Sequence, residues 1–394
     1  MRRRVFLKKS TGAVTLVVVG SALWRVHNRG VLSVGEGPAF EPWKDWQSTQ
    51  NTPLALVRAA ILAASPHNTQ PWLFKVSATS IDLYIDTKRT PGDLDPYLRE
   101  EHIGMGCALE NLMLAASANG YAATAALLPG KLMPAPLHSG PDLIAQVVLS
   151  ASPKRSNDLY DAIPRRHTNR NPYEPLPLPT AFVDEISHMA DSEPDVSIHV
   201  FTANAERHRI AQLILRANDV VYADPSVERG SQRWLRPEWT DVQKYRDGLI
   251  TDEFGQSPWT TAALKAMPDS WRRYSFKHQL LRTTSYADFL RTVPLFGIIA
   301  VRDRYDREQC IAAGRIWQRI HLLTTVRAFA GRPANELVEL VDHEELRKQV
   351  PTAIADLASV IGDREWQPTF VFCLGNPIRQ ASPSPRRPLT EVLI

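Results

Sequence analysis

The chain has only three cysteines in 394 residues, Cys107, Cys310 and Cys373, an odd number with no metal-ligand spacing between them. A disulfide framework is therefore not implied, and each thiol, lying in an apolar run, reads as core. The eleven histidines are dispersed. No His-Glu-x-x-His pattern occurs, and Asp342-His343-Glu344-Glu345 reads as a helix face, so a metal hydrolase is not supported. Gly-x-Ser-x-Gly is missing as well, which removes the nucleophile elbow that a serine or cysteine hydrolase needs. Net charge is scarce. The formal value is +4, but residues 1 to 30 hold seven basic side chains and no acid, leaving a body of about −3 with no global field for nucleic acid. The apolar run from Thr11 to Leu23 is shorter than the roughly 20 residues a spanning helix requires.

What is present is ordinary globular usage, 44% hydrophobic and 22% charged, which at this length supports a large core and two packed units. Arg3-Arg4-Val5-Phe6-Leu7-Lys8, just ahead of the Thr11 to Leu23 run, resembles a twin-arginine export signal; a basic disordered tail is the other reading. Gly20-Ser21-Ala22 offers small residues for cleavage, while Trp24-Arg25 suits an uncleaved anchor, and both stay open. The signal implies a dealing with the twin-arginine translocation machinery and a periplasmic or membrane-anchored location facing the periplasm. That route carries folded proteins, commonly ones already loaded with a cofactor, so a prosthetic group is expected.

Residues 31–50 mix glycine, proline and charge without a period and read as a tether. A helical face follows at Leu54, Val57, Ala60, Ile61 and Ala64, stopped by Ser65-Pro66 because proline disfavours helix in the residue before it. Trp72 to Val76 and Ser80 to Ile85 read as a strand hairpin, Glu101 to Gly120 as a long helix, and Ile144 to Leu149 as a strand. Residues 151–164 look like a linker. Beyond Pro179 come a helix with Phe182, Ile186 and Met189, a strand from Ser197 to Phe201, and a helix from Ala205 to Val221. Residues 234–255 lack a clean period and read as a loop or lid. Leu295 to Val301 and Thr369 to Leu374 are expected as buried strands flanking a helix over Arg307 to Ala330. Aligning Gly106 with Gly314 puts Leu109 on Trp317, Leu112 on Ile320 and Leu114 on Leu322, as a duplicated half would; a chance match of two amphipathic helices is the alternative.

Three segments carry polar chemistry. Arg165-Arg166-His167-Thr168-Asn169-Arg170 sets two guanidiniums four apart around a hydroxyl, a set suited to phosphate oxygens, although a solvated basic loop has the same spacing. Ser65-Pro66-His67-Asn68-Thr69-Gln70-Pro71-Trp72 concentrates hydroxyl, imidazole and amides at a helix stop, as a polar heterocycle's edge requires; a capped turn with a buried tryptophan also fits. Ser384-Pro385-Arg386-Arg387 is basic within an irregular terminus, or simply a charged tail.

Together these segments resemble the nitroreductase superfamily over most of the chain after residue 50. Arg166, His167, Thr168 and Arg170 look like its Arg-x-Ser-x-Arg/Lys grip on FMN phosphate and ribityl. Ser65, His67, Asn68 and Gln70 fall in its Ser-x-x-Asn-x-Gln-Pro-Trp turn, Pro333 and Asn335 in its Pro-x-Glu element by the flavin's reactive edge, and Arg386 with Arg387 at its C-terminal phosphate contact. The resemblance implies an α+β nitroreductase-like fold with mixed central sheets flanked by helices and long central interface helices. Family members are dimers that build each flavin site across the interface. Here the first half, 51–155, keeps the turn and the second, 156–394, keeps the grip, implying a fused pseudo-dimer with one site, as in the Acg-type branch, acting as a monomer. The expected cofactor is FMN, with the chemistry at flavin N5 and no metal. The implied activity is hydride or electron transfer between a small-molecule donor and a nitro, quinone or similar acceptor. Asn335 replaces an acid, Ser384 stands where a basic residue is common, and no nicotinamide element is visible, so a non-catalytic FMN store under the 234–255 lid is the alternative.

Overall fold

The computed structural model describes residues 28–134, 140–267 and 283–394; the Arg3 to Leu23 signal motif lies outside them. The protein is α+β, with two sheets packed around a central helix pair. One sheet runs in the order β1 (Trp72–Val76), β2 (Ser80–Asp86), β4 (Pro141–Ala151), β3 (Tyr121–Leu127). Ile81, Leu83 and Ile85 alternate inward from β2, the period-2 pattern of a half-buried strand. The other sheet runs β7 (Ala330–Pro333), β8 (Gln367–Pro377), β6 (Leu295–Val301), β5 (Val196–Phe201), with Tyr173–Glu174 on the end of β8. Every residue of β6 is buried, as a strand covered on both faces should be.

All pairings between these named strands are antiparallel, so the mixed sheets expected from the resemblance are replaced, within each sheet, by antiparallel ladders. A parallel bridge comes from the chain terminus, where Leu393 meets Phe74; Phe74 N–H donates to the Val392 carbonyl at 2.8 Å and Ile394 N–H to that of Phe74 at 3.0 Å. The end of the second half thus extends the sheet of the first.

The central pair is α1 (Arg99–Ala118) against α2 (Arg307–Val326). Asn119 and then Gly120, at φ +86, end α1 in the left-handed conformation that glycine adopts without strain. Asp306 caps α2 by accepting from Gln309 N–H at 3.1 Å. The helices touch at Gly106 and Gly314. A Cβ on Gly106 would collide with the Ile311 carbonyl, and one on Gly314 with that of Ile103. Glu110 pairs with Arg319 at 2.6 Å and Asn111 with Gln318 at 2.8 Å. Gly314 lies 208 positions after Gly106, and that shift turns each of these contacts into its partner, the pattern of an isologous interface.

Several expectations need correction. Residues 31–50 are no tether: Pro38–Phe40 is a 3-10 turn, Glu41–Lys44 a short helix, and Phe40, Trp43 and Trp46 lie in the core because three large aromatics gain more by burial than by exposure. The 151–164 linker contains a helix, Asp158–Ala162, capped by Asn157, with Tyr160 and Ile163 buried. Strand β3 was not expected, since its alanines have weak strand propensity; pairing with β4 holds it. Residues 234–255 hold a helix, Trp239–Tyr245, and a two-residue parallel ribbon rather than an irregular loop. Asp342, His343 and Glu344 do lie on a helix, α3 (Glu336–Leu346), buried, with Asp342 accepting from Arg99 and Arg304.

Candidate functional site

After the Pro53–Ala60 helix the chain turns sharply, and His67, Asn68 and Gln70 all take left-handed backbone, at φ of 47, 54 and 52 degrees. Non-glycine residues pay for that conformation only where surroundings fix it. Here they do. Ser65 Oγ accepts from Gln70 N–H at 3.0 Å, Thr69 donates to Glu101, and Trp72 is fully buried behind them. Asn68 donates to the carbonyls of Pro385 at 2.9 Å and Gly248 at 3.1 Å, and its own oxygen accepts from Arg386.

The turn borders a cavity of about 210 Å³ lined by residues from 64–107 and from 166–386. Ser65, His67 and Asn68 line it together with Arg166, Thr168, Arg170, Pro333, Asn335 and Arg386, the last in contact with Asn68. Asn169 fixes the arginine segment by donating its N–H to Gly331 of β7 at 3.1 Å. Arg166 and Arg386 are each only 2% exposed, their Nε atoms lack a partner, and among the described residues neither they nor Arg170 have a carboxylate within 4 Å. Arg386 donates to the Ala63 carbonyl at 3.1 Å and stacks on Trp43 at 4.6 Å. Arg170 makes no side-chain hydrogen bond and faces the cavity. Burial lowers the basicity of Arg166 to about 10; burial and then repulsion by Arg166 lower that of Arg386 to about 9. Glu253, buried 5% exposed behind this group, is pushed up by burial although Arg170 opposes it. This end of the cavity is a cationic corner with no direct ion pair among the described residues, Glu253 acting on the three arginines only from farther away.

The opposite end is acidic. Ala334 N–H donates to the Val371 carbonyl and Asn335 Oδ1 accepts from Val371 N–H, both across to β8, which holds the start of α3 against the cavity. Glu336 and Glu339 from α3 and Glu100 from the first turn of α1 converge there. Burial raises Glu100 to about 8 and, with Glu100 beside it, lifts Glu339 well above the usual carboxylate range. A second chamber of about 460 Å³ adjoins, sharing His67, Arg170, Tyr222, Leu249, Arg332 and Glu336 with the first.

Nine of the twelve expected residues therefore meet at one cavity; Gln70, His167 and Arg387 do not line it. The Gln70 amide is consumed by Arg387 N–H at 2.8 Å and the Arg246 carbonyl at 2.9 Å. Arg387 donates back to the Gln70 carbonyl and to that of Glu391. His167 turns its ring edge-on to Trp43, and burial drops its basicity to about 3, so it is neutral. Glu100, Arg332 and Glu253 were missed. The Glu100-Glu101 pair at the head of the long helix was the available signal for the first; the other two carried none. Among the described residues no cluster could hold a metal, no helix is long and apolar enough to cross a membrane, and the three cysteines are free and buried.

No family model matches the chain. Over 124 residues, 30% of its length, it is 31% identical to proteins of two Mycobacterium tuberculosis strains, CDC 1551 and H37Rv, that bear the provisional name NAD(P)H nitroreductase. The match spans about a third of those relatives, 33% of their length. Among solved structures, a nitroreductase with bound FMN from Desulfitobacterium hafniense is 10% identical, covers 60% of this chain and 97% of its own, with a TM-score of 0.36. An FMN-dependent nitroreductase from Mycobacterium smegmatis, solved with NADPH, is 14% identical over 59% and 97%, with a TM-score of 0.37.

Proposed function

We propose that this protein is an FMN-binding oxidoreductase of the nitroreductase type, fused from two half-repeats into a pseudo-dimer with one flavin site. One observation carries the reading: a single cavity collects the Ser65–Asn68 turn from the first half and Arg166, Thr168, Arg170 and Arg386 from the second. The donor set fits a phosphate monoester. Buried guanidiniums without carboxylates, two of them with orphaned Nε atoms, lack the anion that would offset their desolvation. Arg170, unbonded and facing the cavity, completes the set with the Thr168 hydroxyl. Pro333 and Asn335 line the same cavity toward its acidic end, where Glu100 holds a proton at neutral pH. Bound flavin supplies the hydride or electron transfer, while the protein supplies position and electrostatics.

The acceptor is proposed to be a nitro compound, quinone or similar oxidant. Export by the twin-arginine pathway to the periplasm is proposed from Arg3-Arg4 and its apolar run, and argues that the physiological donor is not NAD(P)H. The storage alternative has support from the 234–255 segment, which is pinned over the turn by Gly248 and by Asp247 pairing with Arg89 and Arg236. Anaerobic absorbance separates the two. Flavin reduced by a quinol or NAD(P)H and rapidly reoxidised by a nitroaromatic or quinone supports the enzyme; reduction by dithionite alone would leave the store.

A further inference from the structure

We propose that the 460 Å³ chamber beside the cofactor cavity binds a planar aromatic anion, the reaction partner of the flavin, an inference that rests on the functional reading above. Its size falls in the range of small-molecule sites, roughly 300–1,000 Å³. One wall is an aromatic platform: the rings of Tyr286 and Phe289 are parallel within 3 degrees at 6.1 Å, with Tyr222 and Phe254 also on the lining. A flat apolar ring finds stacking surface here. The Arg332 guanidinium lies over both platform rings, 5.0 Å from Tyr286 and 4.5 Å from Phe289.

Charge decides the class. The acids of the chamber are engaged: Glu336 accepts from the Tyr286 hydroxyl at 2.8 Å, Glu228 from Gln232 at 2.8 Å, and Asp288 pairs with Arg291 at 2.8 Å. The arginines keep unused nitrogens. Arg332 donates its Nε to the Pro333 carbonyl, and among the described residues its terminal nitrogens donate to nothing and no carboxylate lies within 4 Å; Glu336 acts on it only from farther away. Arg379 donates to Asn171 and Gly255 and likewise has no ion pair. Arg170, between the chambers, belongs to the phosphate grip, which leaves Arg332 and Arg379 for the ligand. Arg332, whose buried charge meets no direct ion pair among the described residues, is the group that an anionic substituent on the ring would satisfy.

The test is calorimetric titration of the oxidised, purified protein with 4-nitrobenzoate and its neutral near-isostere 4-nitrobenzamide. The acid should bind about tenfold or more tightly than the amide, the size of one charge-assisted hydrogen bond. Arg379→Met, outside the lining of the cofactor cavity, should reduce that preference while flavin content stays at the parental level, and Arg332→Met should abolish it, compared at equal flavin occupancy because Arg332 also borders the cofactor cavity. Equal affinities for the two probes, a preference untouched by both substitutions, or displacement of flavin by the probe would overturn the proposal. Its failure is distinct from failure of the flavin reading: a colourless protein that keeps the Arg332-dependent preference retains the site, and a yellow one without it loses the site alone.

Discussion

Gly106 of α1 and Gly314 of α2 lie backbone to backbone, each leaving no room for a Cβ because a carbonyl from the facing helix, of Ile311 or Ile103, occupies that space. The two contacts are exchanged by the same 208-residue shift that relates the helices in sequence. Alanine at either position should therefore destabilise the protein similarly, by about 1–3 kcal/mol or more, since the obstruction is backbone that cannot swing aside. Thermal unfolding of Gly106→Ala and Gly314→Ala measures this. A parental Tm for one with a large loss for the other would contradict the symmetric contact.

Replacing Arg166 and Arg170 together with alanine should weaken FMN retention by about a hundredfold or more, two charge-assisted contacts being worth roughly 3–6 kcal/mol if additive. Arg209 and Arg364 are exposed and serve as the control pair. Because Arg166 is also core, Arg170→Met is the cleaner single variant, its side chain making no hydrogen bond to lose. Equilibrium dialysis of FMN gives the affinities. Equal retention in site and control variants would place the phosphate elsewhere.

Glu100 gives a pH signature. Burial raises its carboxyl to about 8, helped by repulsion from Asp95 and Asp342 and opposed by Arg99 and Asn335. Between its unfolded value near 4.5 and about 8 the folded protein binds more protons than the unfolded chain, so this residue's contribution is full below pH 4.5 and is lost as pH rises through 8. Tm measured from pH 5 to pH 8.5 should fall less steeply in Glu100→Gln than in the parent. Identical slopes would mean that Glu100 is ionised throughout.

Besides the Gly248 contacts with Asn68, the 234–255 segment is held by one acid, Asp247, shared by Arg89 and by Arg236 at 2.7 Å. Asp247→Ala leaves two guanidiniums without their partner and should loosen the segment over the turn. Stopped-flow reduction by a quinol should then quicken if the segment limits access. Unchanged rates would show that access does not depend on it.

Much of this was legible in the sequence because strong signals coincide with strong physics. Leu295 to Val301 is uninterrupted apolar sequence and forms a strand buried throughout, and the Gly106/Gly314 alignment marked the place where the helix backbones meet. Composition misled at residues 31–50, where Gly and Pro spacing hid Phe40, Trp43 and Trp46, whose burial is a tertiary effect with no period to reveal it. Gln70 and Arg387 were legible as a polar pair near the site, but not as partners of each other 317 positions apart. Arg332, Glu253 and the aromatic platform are assembled from separate elements, and only the fold brings them to the chamber.

The central claim is one flavin site built from two unlike halves, and flavin stoichiometry tests it most directly. Protein purified in folded form should be yellow, and acid release followed by chromatography should yield FMN at about one per chain, the two halves supplying one cationic corner between them. Two per chain would contradict the single-site account. A colourless protein that no added FMN restores would contradict the function itself.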